Sequence, residues 1–228
     1  MRHDSRCGNN WHVGVAFIAS ALFLTLVNAQ ARSVPPAEDT VVATAAEHQE
    51  WARVQLLIQD GADINADQPD GATALHWAVH WNDPETVVAL IEAGAEVDAV
   101  NDLGVPPLWI AIDRGNTDIA IRLIDAGADV NARLATGETV VMTAARNGLR
   151  TVVSRLLREG ADVRLAEHEA AQTALMWGAA GGHADVVRLL AESGADIHSR
   201  TIRGFTALMF AAQTGDAAQR DQARSATR

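Results

Sequence analysis

Apolar residues fall in two alternating registers along this chain, and the alternation is itself repeated. In the stretch Gly71-Ala-Thr-Ala-Leu-His-Trp-Ala-Val-His-Trp-Asn-Asp-Pro-Glu-Thr-Val-Val-Ala-Leu-Ile-Glu-Ala-Gly-Ala-Glu-Val-Asp-Ala99, a short amphipathic run gives way to stop signals and then to a greasier run. Leu75 and Ala78 stand three apart, the spacing of one helix face. The second run, Val87 to Ile91, recurs at Ile119–Ile124, Val152–Leu157 and Val186–Leu190. Between the two runs stand Asn82, Gly115, Gly148, Gly182 and Gly215, residue types that tolerate the left-handed turn at a helix end. Asp83-Pro84 then restarts the chain with a capping carboxylate and a proline that fits only a first helical turn. The pattern predicts helix–turn–helix pairs.

The pairs keep a fixed period. A Gly-Ala-Asp/Glu triplet starts at Gly61, Gly94, Gly127, Gly160 and Gly194, at intervals of 33, 33, 33 and 34 residues. The Thr or Pro opening each first helix recurs at Thr73, Pro106, Thr139, Thr173 and Thr206. One such pair cannot bury its own apolar face; stacked pairs can, and that predicts a solenoid. Small Ala78, Ala111, Ala144 and Ala211 let neighbouring first helices approach, while Gly178 at that position costs the helix about 1 kcal/mol. Trp51, Trp77, Trp109 and Trp177 fall on inward or inter-repeat faces.

These residues resemble the ankyrin repeat. Thr73-Ala-Leu-His-Trp-Ala78 matches that family's Thr-Pro-Leu-His-x-Ala, and Gly182-His-Ala-Asp-Val-Val-Arg-Leu-Leu190 matches its Gly-His-x-x-Val-Val-x-Leu-Leu. Gly127-Ala-Asp-Val-Asn-Ala132 matches its closing turn. The resemblance implies an all-α ankyrin-repeat solenoid of helix–turn–helix pairs with short hairpin fingers over residues 38–215, its repeats at about 38–66, 67–99, 100–132, 133–165, 166–199 and an incomplete 200–215. The first repeat lacks the opening Thr-x-Leu and reads as the N-terminal cap. The fifth finger, Glu167-His-Glu-Ala-Ala171, has no Gly where the others have Gly71, Gly104, Gly137 and Gly204, and is expected to be displaced or loose. Residues 216–228 carry Ala as their only apolar type, which reads as a polar cap or, preferably, as a truncated array.

Composition adds the compartment. Arg2, His3 and Arg6 precede an apolar run from Val13 to Val27, and Ala29-Gln30-Ala31 supplies a small-x-small cleavage site. The run is about 15 residues, short of the roughly 20 that span a bilayer, so residues 1–31 read as a signal peptide. Residues 32–37 read as an extended Pro-containing linker. The lone Cys7 lies before the apolar run, not directly after it, which argues against a lipid anchor and leaves the mature chain without thiols. A periplasmic or secreted location is expected. The net charge of −11 argues against nucleic acid and against a membrane role beyond export.

Candidate chemistry is thin. His76 and His80 have the four-residue spacing of two ligands on one metal, but no third ligand and no His-Glu-x-x-His accompany them. His76 is instead read, by resemblance, as the motif histidine that bridges loops of adjacent repeats. Asp63-Ile-Asn65-Ala-Asp67 imitates the start of a calcium loop, with Gln68 and Ala74 where Gly and Glu are needed. No phosphate loop, haem motif or nucleophile elbow occurs. The expectation is no enzyme, no cofactor and no metal.

What remains is surface. The resemblance implies that a protein partner docks on the concave side, formed by the fingers and by the two residues after each first helix's paired small residues. Carried over, these are His80, Trp81, Asp113, Arg114, Arg146 and Asn147 on the helices, with Asp70, Leu103, Val105, Glu138, Arg203 and Phe205 on the fingers. Trp81 is the sharpest, either an exposed hot spot or a ring folded back onto the scaffold. The expected function is an exported, monomeric, non-catalytic protein-interaction module. The alternatives are the recognition part of a larger periplasmic enzyme or electron-transfer protein, and a secreted effector directed at a host.

Overall fold

The computed structural model describes residues 41–215 of the chain. The expected signal peptide, linker and polar tail lie outside the described residues. Helices come in pairs, a first of seven residues and a second of nine: α1 (Val41–Glu47) and α2 (Trp51–Gln59), α3 (Ala74–His80) and α4 (Pro84–Glu92), α5 (Pro107–Asp113) and α6 (Thr117–Asp125), α7 (Val140–Arg146) and α8 (Arg150–Arg158), α9 (Ala174–Ala180) and α10 (Ala184–Glu192). A last first-type helix, α11, runs over residues 207–215. First helices stack on first helices in chain order, and second on second. Among the described residues no strand forms, only isolated bridges at Arg133–Thr139 and Ala166–Thr173. The solenoid expected from the period is the fold observed.

Helix ends follow from the residues that stop them. After α3, Asp83 N–H donates to Ala78 O at 3.0 Å and Asn82 N–H to Val79 O at 3.1 Å. This double closure needs a left-handed residue between, and Asn82 adopts φ 57° where the neighbouring repeats use Gly. The same closure ends the second helices: Ala95 N–H reaches Leu90 O at 2.9 Å, past Gly94. Asp83 Oδ1 then accepts Thr86 N–H at 2.8 Å to open α4, beside Pro84 in its first turn.

All seven residues of α3 are buried, because it is covered on one side by α1, on the other by α5 and behind by α4. Leu75, Leu108 and Leu175 sit at one register, each inside the stack, and each is worth roughly 1.5–3 kcal/mol on burial. Leu208, at the same register in α11, is 78% exposed, with no described helix packed over it.

Side chains and loops lock the stack laterally. Asn65 Oδ1 accepts Glu96 N–H, Asp98 Oδ1 accepts Asp129 N–H, and Asn131 Oδ1 accepts Asp162 N–H, each at 2.8 Å. The residues that imitate a calcium loop therefore join one repeat to the next. Fingers are stitched too, Asp102 N–H to Asp70 O and Ile202 N–H to Ala170 O, both 2.9 Å.

The fifth finger departs from expectation. It is neither displaced nor loose: its Ala170 carbonyl and His168 N–H, the latter 2.9 Å from Thr136 O, stitch it to both neighbours. Ala171 takes the left-handed conformation that glycine takes elsewhere, φ 56°. The buried Glu167 carboxylate holds it there, accepting N–H groups from Glu169 at 2.6 Å and from Ala170 and Gln172 at 2.9 Å.

Candidate functional site

His76 shows how the framework uses polar groups. Its Nε2 lies 3.1 Å from Val105 O, and a carbonyl can only accept, so Nε2 carries the proton. Nδ1 is then the acceptor, 3.2 Å from Thr73 N–H and 2.9 Å from the Thr73 hydroxyl. Both nitrogens are spent on joining α3 to the next finger. Burial drives its pKa down to about 4, against the smaller raising effect of the Val105 carbonyl. In the fourth repeat Met142 stands at this position, its sulfur 3.5 Å from Thr139 N–H.

The expected binding residues do not form one accessible set. Val105 and Glu138 are 5% and 3% exposed, and His80 is 5% exposed. These three are corrections to the expected surface. Val105 is sequestered because its finger closes on Asn101, whose Oδ1 accepts Val105 N–H at 3.0 Å. Glu138 is covered because its carboxylate turns inward to the Thr143 hydroxyl at 2.7 Å. His80 is closed in by rings, with Trp77 and Trp81 edge-on at 5.7 and 4.9 Å between centroids. Burial, with Arg114 second, pushes its pKa down to about 4.

A second pattern was not read from the sequence. The residue at one register, at or just past the end of each first helix, tends to reach back one repeat, to carbonyls at the end of the preceding first helix. Trp81 Nε1 donates to Glu47 O at 3.1 Å, Asn147 Nδ2 to Ile112 O and Asp113 O at 3.0 and 3.1 Å, and the Thr214 hydroxyl to Ala180 O at 3.1 Å. Gly181 has no side chain to send, and His183 Nε2 donates to Arg146 O at 2.9 Å in its place. The available signal was that Trp81, Asn147 and Thr214 share one register and all carry a donor.

Arg146 is the centre of this face. Its guanidinium meets Asp113 at 3.0 Å and Glu138 at 3.5 Å, and lies 4.9 Å from the Trp177 ring centroid. It thereby ties three consecutive repeats together and joins a finger to the first helices. Glu138 has its pKa raised by burial, with Arg146 and the Thr143 hydroxyl opposing. Trp81 folds back far enough for its indole N–H to reach the scaffold, yet the ring stays 42% exposed. Arg114, Leu103 and Arg203 are exposed, Asp70, Asn147 and Phe205 half-buried. Among the described residues no group of three His, Cys, Asp or Glu is placed to hold a metal, and no helix is long and apolar enough to cross a membrane.

Stacked helix pairs, stitched fingers and a face of scattered unlike side chains define a repeat scaffold. A family model for ankyrin repeats (three copies) matches the chain in overlapping windows at residues 16–101, 42–134, 80–167, 108–201 and 141–220. The chain belongs to the ankyrin-repeat family, whose members generally mediate protein–protein interaction and are typically non-catalytic. No curated protein matches it.

Proposed function

We propose that the protein is an exported, non-catalytic interaction module that grips another protein on the face made by its fingers and first-helix ends. One observation carries the reading: the periodic residues are consumed by the framework, while the unrepeated Trp81, Arg114 and Leu103 remain exposed on this face. Trp and Arg are the residue types most enriched at binding hot spots. Export is supported by Arg2, Arg6, the apolar run from Val13 and the Ala29-Gln30-Ala31 cleavage pattern.

The test is a crosslinking pull-down from the envelope fraction with the wild-type chain, the double variant Trp81→Ala/Arg114→Ala, and Arg188→Ala on the exposed side of α10 as control. The double variant should lose the partners that the control retains. An unchanged set of partners sinks the assignment of this face. N-terminal sequencing of the protein from that fraction should begin at Arg32, and an intact Met1 would remove the export reading.

A further inference from the structure

One residue in the row behind the first helices does not close on a carbonyl. Arg114 stands at the register of Trp81 and Asn147, yet its Nη2 lies 3.0 Å from His80 Nδ1 and 3.1 Å from His80 Nε2. The two ring nitrogens direct their lone pair and N–H apart in the ring plane, so one donor cannot align with both. A guanidinium only donates, so an Nη2 N–H is given to whichever ring nitrogen of neutral His80 carries the lone pair. The group is thus anchored through Nη2, while Nη1 and Nε make no bond to another described residue. Arg114 forms no ion pair with any described residue, because the adjacent Asp113 turns to Arg146.

Across the same imidazole lies Trp81, edge-on at 4.9 Å and partly open to solvent. Burial keeps His80 neutral above about pH 4, so it adds no charge between them. Both groups contact the one His80 ring, so Nη2 and the indole centroid lie within about 9 Å, of the order of the ~7 Å between alternate side chains of an extended strand.

We propose that this patch binds a partner segment carrying an Asp or Glu two residues from an apolar side chain, the carboxylate forked on Arg114 and the apolar group against Trp81. The inference rests on the proposed docking face and names the chemistry of what docks there. A planar fork of donors matches a carboxylate bidentately, whereas a basic segment would meet a like charge. The chain's net charge of −11 gives an acidic partner no long-range attraction, so recognition falls to this local contact.

The experiment selects a phage-displayed library of random dodecapeptides on the immobilised full chain, then measures the selected peptides against variants. Enrichment of Asp or Glu two positions from Leu, Val, Phe or Trp is expected. Arg114→Gln should weaken those peptides about ten- to a hundredfold, as for a lost charged hydrogen-bond pair. Arg114→Lys should recover only part, and Trp81→Ala should abolish the apolar preference. Selection without an acid, full binding by Arg114→Gln, or no selected peptide at all overturns the inference. Loss of binding in Leu103→Asp with Arg114→Gln unaffected leaves the face as a docking surface and removes only the acidic partner. Indifference to all three substitutions removes both. Melting curves by circular dichroism check that each variant, altered at an exposed side chain, keeps its fold.

Discussion

Replacing His76 by Met tests whether the stack depends on a neutral imidazole. Met is accommodated at this register, since Met142 occupies it in α7 with its sulfur 3.5 Å from Thr139 N–H. His76→Met therefore keeps an acceptor for Thr73 N–H but removes one of the two donors to Val105 O, which still accepts Asn101 N–H at 3.3 Å. Losing one hydrogen bond to a carbonyl that keeps another donor costs about 0.5–1.5 kcal/mol, so the variant should be about 1 kcal/mol less stable near pH 7. The wild-type protein then has its own weakness. The folded pKa of His76 is depressed to about 4 from the ordinary 6.5, so the unfolded chain takes up the proton first. Its stabilising contribution is complete above pH 6.5 and is lost as the pH falls toward 4. At 1.36 kcal/mol per pH unit the loss is about 2 kcal/mol by pH 5 and about 3 kcal/mol by pH 4. His80 titrates in both proteins and cancels from the comparison. Urea unfolding followed by circular dichroism from pH 4 to 7.5 should show the stability gap closing near pH 6 and reversing below it. A gap that is constant or widens on acidification refutes the reasoning, as does a His76 titration near 6.5 by NMR.

Two further substitutions exchange the same two residue types in opposite directions. Gly178→Ala in α9 should stabilise by about 1 kcal/mol, from helix propensity, because an added Cβ meets Val186 and Val187 at 3.5 Å, ordinary contact distance; destabilisation by urea titration would show that the helices cannot accept the methyl. Ala171→Gly should also stabilise, by about 0.5–1 kcal/mol, because the left-handed φ of 56° that strains alanine is free for glycine. A lower midpoint in the same titration would show that Glu167 alone sets the shape of this finger.

Much of the fold was legible because stacking is a periodic problem with a periodic solution. The left-handed closure at Asn82, the cap at Asp83 and the inward Leu75 each depend on neighbours within a few residues, and each was readable from spacing. The fifth finger was misread because Glu167 compensates for a missing glycine through three backbone hydrogen bonds, a contact that no residue-by-residue pattern displays. The face was partly legible. Trp81 and Arg114 were found at exposed positions, but His80, which shares a register with exposed Gln213, and Val105 and Glu138, whose register is buried or half-buried throughout, were not recognised as buried.

By itself, then, the sequence determined the helix pairs, their period and the stacked architecture, because hydrophobic periodicity and helix-stop chemistry act locally and repeat. Tertiary structure alone decided which polar side chains are spent on the scaffold and which stay open. That choice depends on groups far apart along the chain, most of them about one repeat apart, and a few ångströms apart in space: Trp81 on the Glu47 carbonyl, Arg146 on Asp113, Arg114 on the His80 ring.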